Sequence, residues 1–184
     1  GNRALVREFE GSYPAEAKAS GKLRRFALTA APAEVVVAGR SLDVWAYRLG
    51  DGEASVPGPT LRVRLGDTVR VVFTNRLPQP TTIHWHGVRV PNGMDGVPHL
   101  TQPPVEPGGT FVYEFAPKDA GTFWFHPHVR SSEQVERGLY GVLVVEERVP
   151  PPWSRDVVWV LDDWLLDGTG KIAPEFNTRH DLSH

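Results

Sequence analysis

An all-β fold, a sandwich or Greek-key barrel, is what this chain predicts. Short runs of apolar and polar residues recur along most of its length, Pro and Gly clusters divide them, and only one short segment has a helical pattern. Lys22 to Ala30 and Ser41 to Arg48 are the first strand-sized runs, carrying Phe26, Leu28, Val44, Trp45 and Tyr47, and Pro57-Gly58-Pro59 closes that region. From Thr60 the alternation is clean. Leu61, Val63 and Leu65 share one face and Arg62 and Arg64 the other, as on a half-buried strand. Gly66-Asp67 turns the chain into Thr68 to Asn75, where Val69, Val71 and Phe73 oppose Arg70 and Val72. Thr81 to His86 begins another strand. After the Pro/Gly turn of residues 103–109, Thr110 to Phe115 and Gly121 to Phe125 read as aromatic-rich strands, and Ser132 to Arg137 as the one helix. Gly141 to Glu146 is a continuous Val/Leu run of the kind buried on both faces. Pro150 to Pro152 forms a rigid connection to one last expected strand, Asp156 to Asp162, and from Asp167 polarity rises into a linker or tail.

Composition removes whole classes of function. The chain has 184 residues and is 40% hydrophobic, enough for a sizeable core. Its 20 basic and 22 acidic residues are scattered, for a net charge of -2, so no basic face is expected to hold nucleic acid. No apolar stretch approaches the roughly 20 residues that cross a bilayer, and Gly1 to Glu10 carries charges where a signal peptide is apolar. A soluble chain with no membrane partner is therefore expected. The absence of cysteine excludes thiolate catalysis, iron–sulfur clusters, disulfides and any blue-copper site, which needs a cysteine sulfur beside two histidines. A metal here would be held by nitrogen or oxygen.

Four of the seven histidines fall into two pairs spaced by two, His84-Trp85-His86 and His126-Pro127-His128. Residues i and i+2 of a strand share a face and lie roughly 6.6 Å apart, so each pair can aim both imidazoles at one site. Neutral imidazole suits copper, zinc, iron and nickel alike, and the spacing does not tell one ion from several. Trp85, Phe123, Trp124 and Phe125 are candidates to wall such a site from water. Pro127 lacks an N–H donor and places the second pair at a strand end or edge. Gly87 marks a sharp departure after His86. Single histidines are more often surface or core groups than ligands, and His99, His180 and His184, in polar sequence, are expected to be solvated. Arg130 to Arg137 alternates charge like a solvated helix face.

At these pairs the chain resembles the multicopper oxidases. HWHG at 84–87 matches that family's first copper motif, and HPH at 126–128, preceded by GTFWF, matches its second. The flanks PGPTLRVRLGDTVRV, MDGVPHLTQPPVEPG and GLYGVLVVE match as well, so the similarity runs from about Leu23 to Asp167. The resemblance implies a cupredoxin-like Greek-key barrel over 23–166, an N-terminal extension over 1–22, and a linker or tail over 167–184 leading toward a further domain. It implies copper as cofactor, with His84 a ligand of the type 2 copper and His86, His126 and His128 ligands of the type 3 pair, where dioxygen is reduced to water. Asp95, in the MDG segment, matches an acid near the type 2 copper of bacterial members that manages protons. Its plainer alternative is a turn-forming carboxylate before Gly96.

The departures from the family matter equally. Members complete the cluster with four histidines of a C-terminal cupredoxin domain, whose HCH motif also holds the type 1 copper cysteine, and no HCH occurs here. The expectation is thus an N-terminal portion of a longer oxidase, inactive alone, partnered by a C-terminal cupredoxin domain of the same or another chain. The sequence DDWLLDGTGKI and the later HDLSH resemble interdomain text that normally continues. Its reducing substrate would be a phenol or a cuprous, ferrous or manganous ion, and its location periplasmic or secreted. Rivals from other classes are a copper-binding module without turnover and a single-metal HxH enzyme. A cupin would need a glutamate soon after the first pair, where Val88 to Pro91 has none, and a zinc lyase would leave the fourth histidine idle.

Overall fold

The computed structural model describes residues 20–173, and two β-sheets packed face to face account for its core. Strand β1 (Leu23–Val37) pairs on one side with β2 (Arg40–Leu49), antiparallel, and on the other with β5 (Thr68–Asn75), parallel. With the two-residue β3 (Ala54–Ser55) and with β7 (Thr110–Phe115) they make the five-stranded sheet β3-β2-β1-β5-β7. The second sheet runs β4-β9-β8-β6, from β4 (Leu61–Arg64), β9 (Gly141–Glu146), β8 (Gly121–His126) and β6 (His84–His86). One helix, α1 (Ser131–Glu136), follows β8, and Asn92–Met94 forms a 3-10 turn.

The alternation read from the sequence decides which side chains enter the core. Leu61 and Val63 of β4 are buried against Val69, Val71 and Phe73 of β5, while Arg62 and Arg64 point out. Strand β9 lies between β4 and β8 and is buried from Gly141 through Val145, as a central strand covered on both faces should be. Trp85, Tyr113 and Phe125 fill the interior between the sheets, with Trp85 5.7 Å from Tyr113 and 5.5 Å from Phe125, centroid to centroid.

Three features differ from the sequence expectation. First, β1 continues past Ala30 to Val37, through Pro32, and meets β2 in a hairpin. Beyond Ala30 it has β2 alone as partner, so the missing N–H of Pro32 is tolerated there. The turn residues Ala38 and Gly39 both have positive φ, 50° and 78°, the geometry of a type I′ hairpin. Ala-Gly is a weak sequence signal for that turn beside Asn-Gly. Second, the strand expected over Asp156 to Asp162 does not form. The stretch joins neither sheet, and Trp159 and Leu161 are 82% and 88% exposed. Its strand-like alternation has no neighbouring ladder to satisfy it. It is tethered instead by the Tyr140 hydroxyl, which donates to the Asp162 carboxylate. Third, the chain after it folds back. Trp164, Leu166 and Ile172 cover Leu42, Val44 and Ala46 on the outer face of β2, and Leu166 bridges Ile172.

Asp67 anchors the start of this arrangement. Its side chain is 3% exposed and accepts from Arg24 Nε at 2.8 Å, Ser20 Oγ at 3.0 Å and the Arg64 N–H at 3.2 Å. One carboxylate thus closes the β4–β5 turn and fastens the beginning of β1 to it. Asp67→Ala is expected to lower the unfolding free energy by about 2 kcal/mol in urea titration; a loss under about 0.5 kcal/mol would contradict this anchoring.

Candidate metal centre

Strand β6 is only three residues long and forms the edge of its sheet. It pairs antiparallel with β8 in the register His84↔His126, Trp85↔Phe125 and His86↔Trp124. Successive side chains alternate between faces. Trp85 and Phe125 therefore enter the core, and His84, His86, Trp124 and His126 stand together on the opposite face. The two pairs converge. Ring centroids are 5.6 Å apart for His84 and His86, 5.4 Å for His84 and His126, and 5.4 Å for His86 and His126. Strand β8 ends at His126, where Pro127 interrupts it, and the chain swings His128 to 5.3 Å from the His84 ring. The His128 N–H donates to Thr82 Oγ1 at 3.2 Å, tying the second pair to the segment that leads into the first.

The donor set fits a metal. His84 Nδ1 lies 2.7 Å from the Asp95 carbonyl oxygen, and His126 Nδ1 2.8 Å from the Pro127 carbonyl oxygen. A carbonyl only accepts, so each Nδ1 carries the proton and each Nε2 presents a lone pair. His86 Nδ1 and His126 Nε2 are 3.2 Å apart. Two nitrogens bound to one ion at about 2.0–2.1 Å with a near-tetrahedral angle stand roughly 3.3 Å from each other. Ligand atoms of His84, His86 and His126 all lie within 4.8 Å of one another. His128 joins by the nearness of its ring and falls outside that tighter group.

Electrostatics favour the neutral, ligating form of His86 and His126. Burial, offset in part by the Pro127 carbonyl and reinforced by the neighbouring imidazoles of His84, His86 and His128, lowers the His126 pKa to about 4. His86 is also lowered, by burial first and then by His84 and His128.

Asp95 sits beside this group. Its carbonyl orients His84, and its half-exposed carboxylate lies 3.4 Å from His84 Nδ1. Gly96 makes the approach possible. It has φ +78°, and a Cβ there would fall 1.9 Å from the Ile83 carbonyl oxygen. Arg89 holds the loop with a two-pronged ion pair to Asp119, at 2.7 and 2.9 Å.

Not every aromatic neighbour serves the site. Trp85, Phe123 and Phe125 pack on the core side, so of the four expected to wall the histidines only Trp124 stands beside them. Sequence reasoning also passed over Gln134. This fully buried side chain of α1 accepts from Thr81 Oγ1 at 2.6 Å and donates to the Pro80 carbonyl at 2.9 Å, so it pins the helix after His128 to the approach of β6. A glutamine amid a solvated-looking charge pattern gave no signal of burial. His99 is exposed on its loop, and His180 and His184 lie outside the described residues.

Comparison with known proteins places these features in a family. The multicopper oxidase sequence profile matches residues 45–150. Copper resistance protein A of Pseudomonas syringae pv. tomato is 48% identical over 111 residues, covering 59% of this chain and 18% of that protein. Multicopper oxidase MmcO of Mycobacterium tuberculosis is 39% identical over 153 residues, 83% of this chain and 29% of that one. The crystal structure of a multi-copper oxidase from Pseudomonas thermotolerans superposes with a TM-score of 0.79 at 43% identity, over 90% of this chain and 39% of the other. The chain thus spans between about a fifth and two fifths of the length of these relatives.

Two outcomes follow from the geometry. His126 has a folded pKa of about 4, below the ordinary value of roughly 6.5, so between those pH values the unfolded chain binds more protons. The metal-free chain should hold its full His126-dependent stability above about pH 6.5 and lose it as pH falls toward 4, and His126→Gln should flatten that slope in urea titrations at several pH values. Gly96→Ala should push Asp95 away from His84 and weaken divalent-copper binding about tenfold or more, measured by calorimetry; unchanged affinity would show that the carbonyl contact is idle.

Proposed function

Given that the chain belongs to the multicopper oxidase family, we propose that it supplies half of the protein ligands of a trinuclear copper cluster at which dioxygen is reduced to water. The observation that carries this reading is the opposition of His84 and His126 across the β6–β8 ladder, with the His86 ring beside His126 and the His128 ring beside His84. His84 is read as the type 2 copper ligand and His86, His126 and His128 as type 3 ligands. Copper, when bound there, supplies the one-electron steps by which dioxygen takes up four electrons and four protons to give two waters. A single-metal site would use at most three of the four imidazoles, whereas this reading gives each of the four a role.

The chain's own groups prepare that chemistry. Two peptide carbonyls hold the Nδ1–H of His84 and of His126 and so aim both Nε2 lone pairs into the site. Asp95 is the proton-handling acid of this reading. Its carboxylate is open enough to exchange protons with solvent and close enough to His84 to hold a proton beside the place the copper would occupy. The reducing substrate, a phenol or a low-valent metal ion, is oxidised at a type 1 copper carried by a C-terminal cupredoxin domain of the same or another chain. In this reading 23–166 is the cupredoxin unit, 167–184 leads toward the partner domain, and Trp153, Trp159, Leu161 and Leu165, all strongly exposed, belong to the surface that partner covers. A periplasmic or secreted location is part of the same reading.

In the complete enzyme, His128→Ala should deplete type 3 copper and abolish oxygen uptake while the type 1 copper is still reduced by donor, and retained turnover would refute the assignment. Asp95→Asn should keep its copper but slow oxygen reduction about a hundredfold. A rate equal to wild type across the pH range would return Asp95 to a purely structural turn.

A further inference from the structure

On the site face, the β6–β8 ladder offers four adjoining positions, His84 and His86 on one strand and His126 and Trp124 on the other. Three are imidazoles, and the fourth is an indole. Its placement contrasts with that of His84. His84 meets its neighbours edge-on, at 72° to His86 and 73° to His126. Trp124 instead lies nearly flat against two rings at once, 4.0 Å and 28° from His126 and 4.9 Å and 31° from His86.

Strand geometry fixes where a histidine Cβ points but leaves the ring plane loose, because the terminal torsion is broad and roughly two-fold. His84 and His126 each have a carbonyl to set that plane. His86 is exposed, and its hydrogen bond runs to His126, a group that would itself turn toward a metal. The planar surface that holds His86 in the absence of a carbonyl is Trp124, directly opposite it in the ladder. We infer that Trp124 is a positioning residue, whose flat indole fixes the ring planes of His86 and His126 and thereby aims His86 Nδ1 and His126 Nε2 at one copper ion. The inference rests on the reading of these histidines as copper ligands.

The test measures cupric-ion affinity of the full chain by competition with a chelator, together with the electron paramagnetic resonance of the bound ion, in Trp124→Phe, Trp124→Leu and His126→Ala. Trp124→Met, unbranched and without a ring, stands in should the leucine variant melt early. The expected result is a dissociation constant raised about tenfold, with broadened copper hyperfine lines, in Trp124→Leu, and both restored to within about threefold of wild type by the flat ring of Trp124→Phe. Melting temperatures should stay near wild type, because Trp124 lies outside the core. If the leucine and methionine variants bind like wild type while His126→Ala loses affinity, the positioning role is overturned and the cluster reading stands. If Trp124→Phe is as weak as Trp124→Leu, ring stacking is not the cause, and the inference fails. If His126→Ala binds as tightly as wild type, the histidines are not the copper site, and both readings fall together.

Discussion

The register of two short strands is the constraint on which the site depends. A β-ladder alternates its faces, so once Trp85 and Phe125 commit to the core, His84, His86 and His126 have no choice but the other side. The hydrophobic payload of two buried aromatics thus aims three imidazoles, and a one-residue slip would bury imidazoles and expose indole. The enzyme-like part of the molecule draws its geometry from the core beneath it rather than from the loops around it. Strand β6 can be brief because it does not need to be stable alone. Trp85 locks it from below, and Gln134 and Thr82 tie its approach to the segment bearing His128.

Much of this was legible in the residues. The alternation at 61–65 and 68–75 has clean apolar and polar faces, and the uninterrupted run at 141–145 identifies a central strand, because each pattern records burial directly. The histidine pairs stood out because few structural needs place two imidazoles at strand spacing. What the sequence concealed lies in partners distant along the chain. Nothing local in Asp156 to Asp162 says that no ladder awaits it, and nothing local in Leu42, Val44 and Ala46 says that Trp164 and Ile172 return to cover them. The aromatics of GTFWF look like one wall in the sequence, yet parity divides them, sending Phe123 and Phe125 inward and leaving Trp124 beside the rings. Counting faces along β8, a step available from sequence alone, separates them.

The loop after β6 shows how a small residue serves chemistry it never touches. Gly96 lets the backbone lie against Ile83, and that approach brings the Asp95 carbonyl to His84. One residue therefore carries two tasks: its main chain fixes a tautomer, and its carboxylate faces solvent beside the same ring. Depressed basicity at His86 and His126 complements this arrangement, since crowded and partly buried imidazoles resist protons and favour a shared cation.

The proposed oxygen chemistry requires the four imidazoles to share one copper cluster. Anomalous diffraction at the copper absorption edge from crystals of the complete protein tests this most directly. Copper peaks enclosed by His84, His86, His126 and His128, each ring nitrogen about 2 Å from an ion, are the predicted result. Copper bound elsewhere, with these four rings left without metal in a fully loaded enzyme, would contradict it.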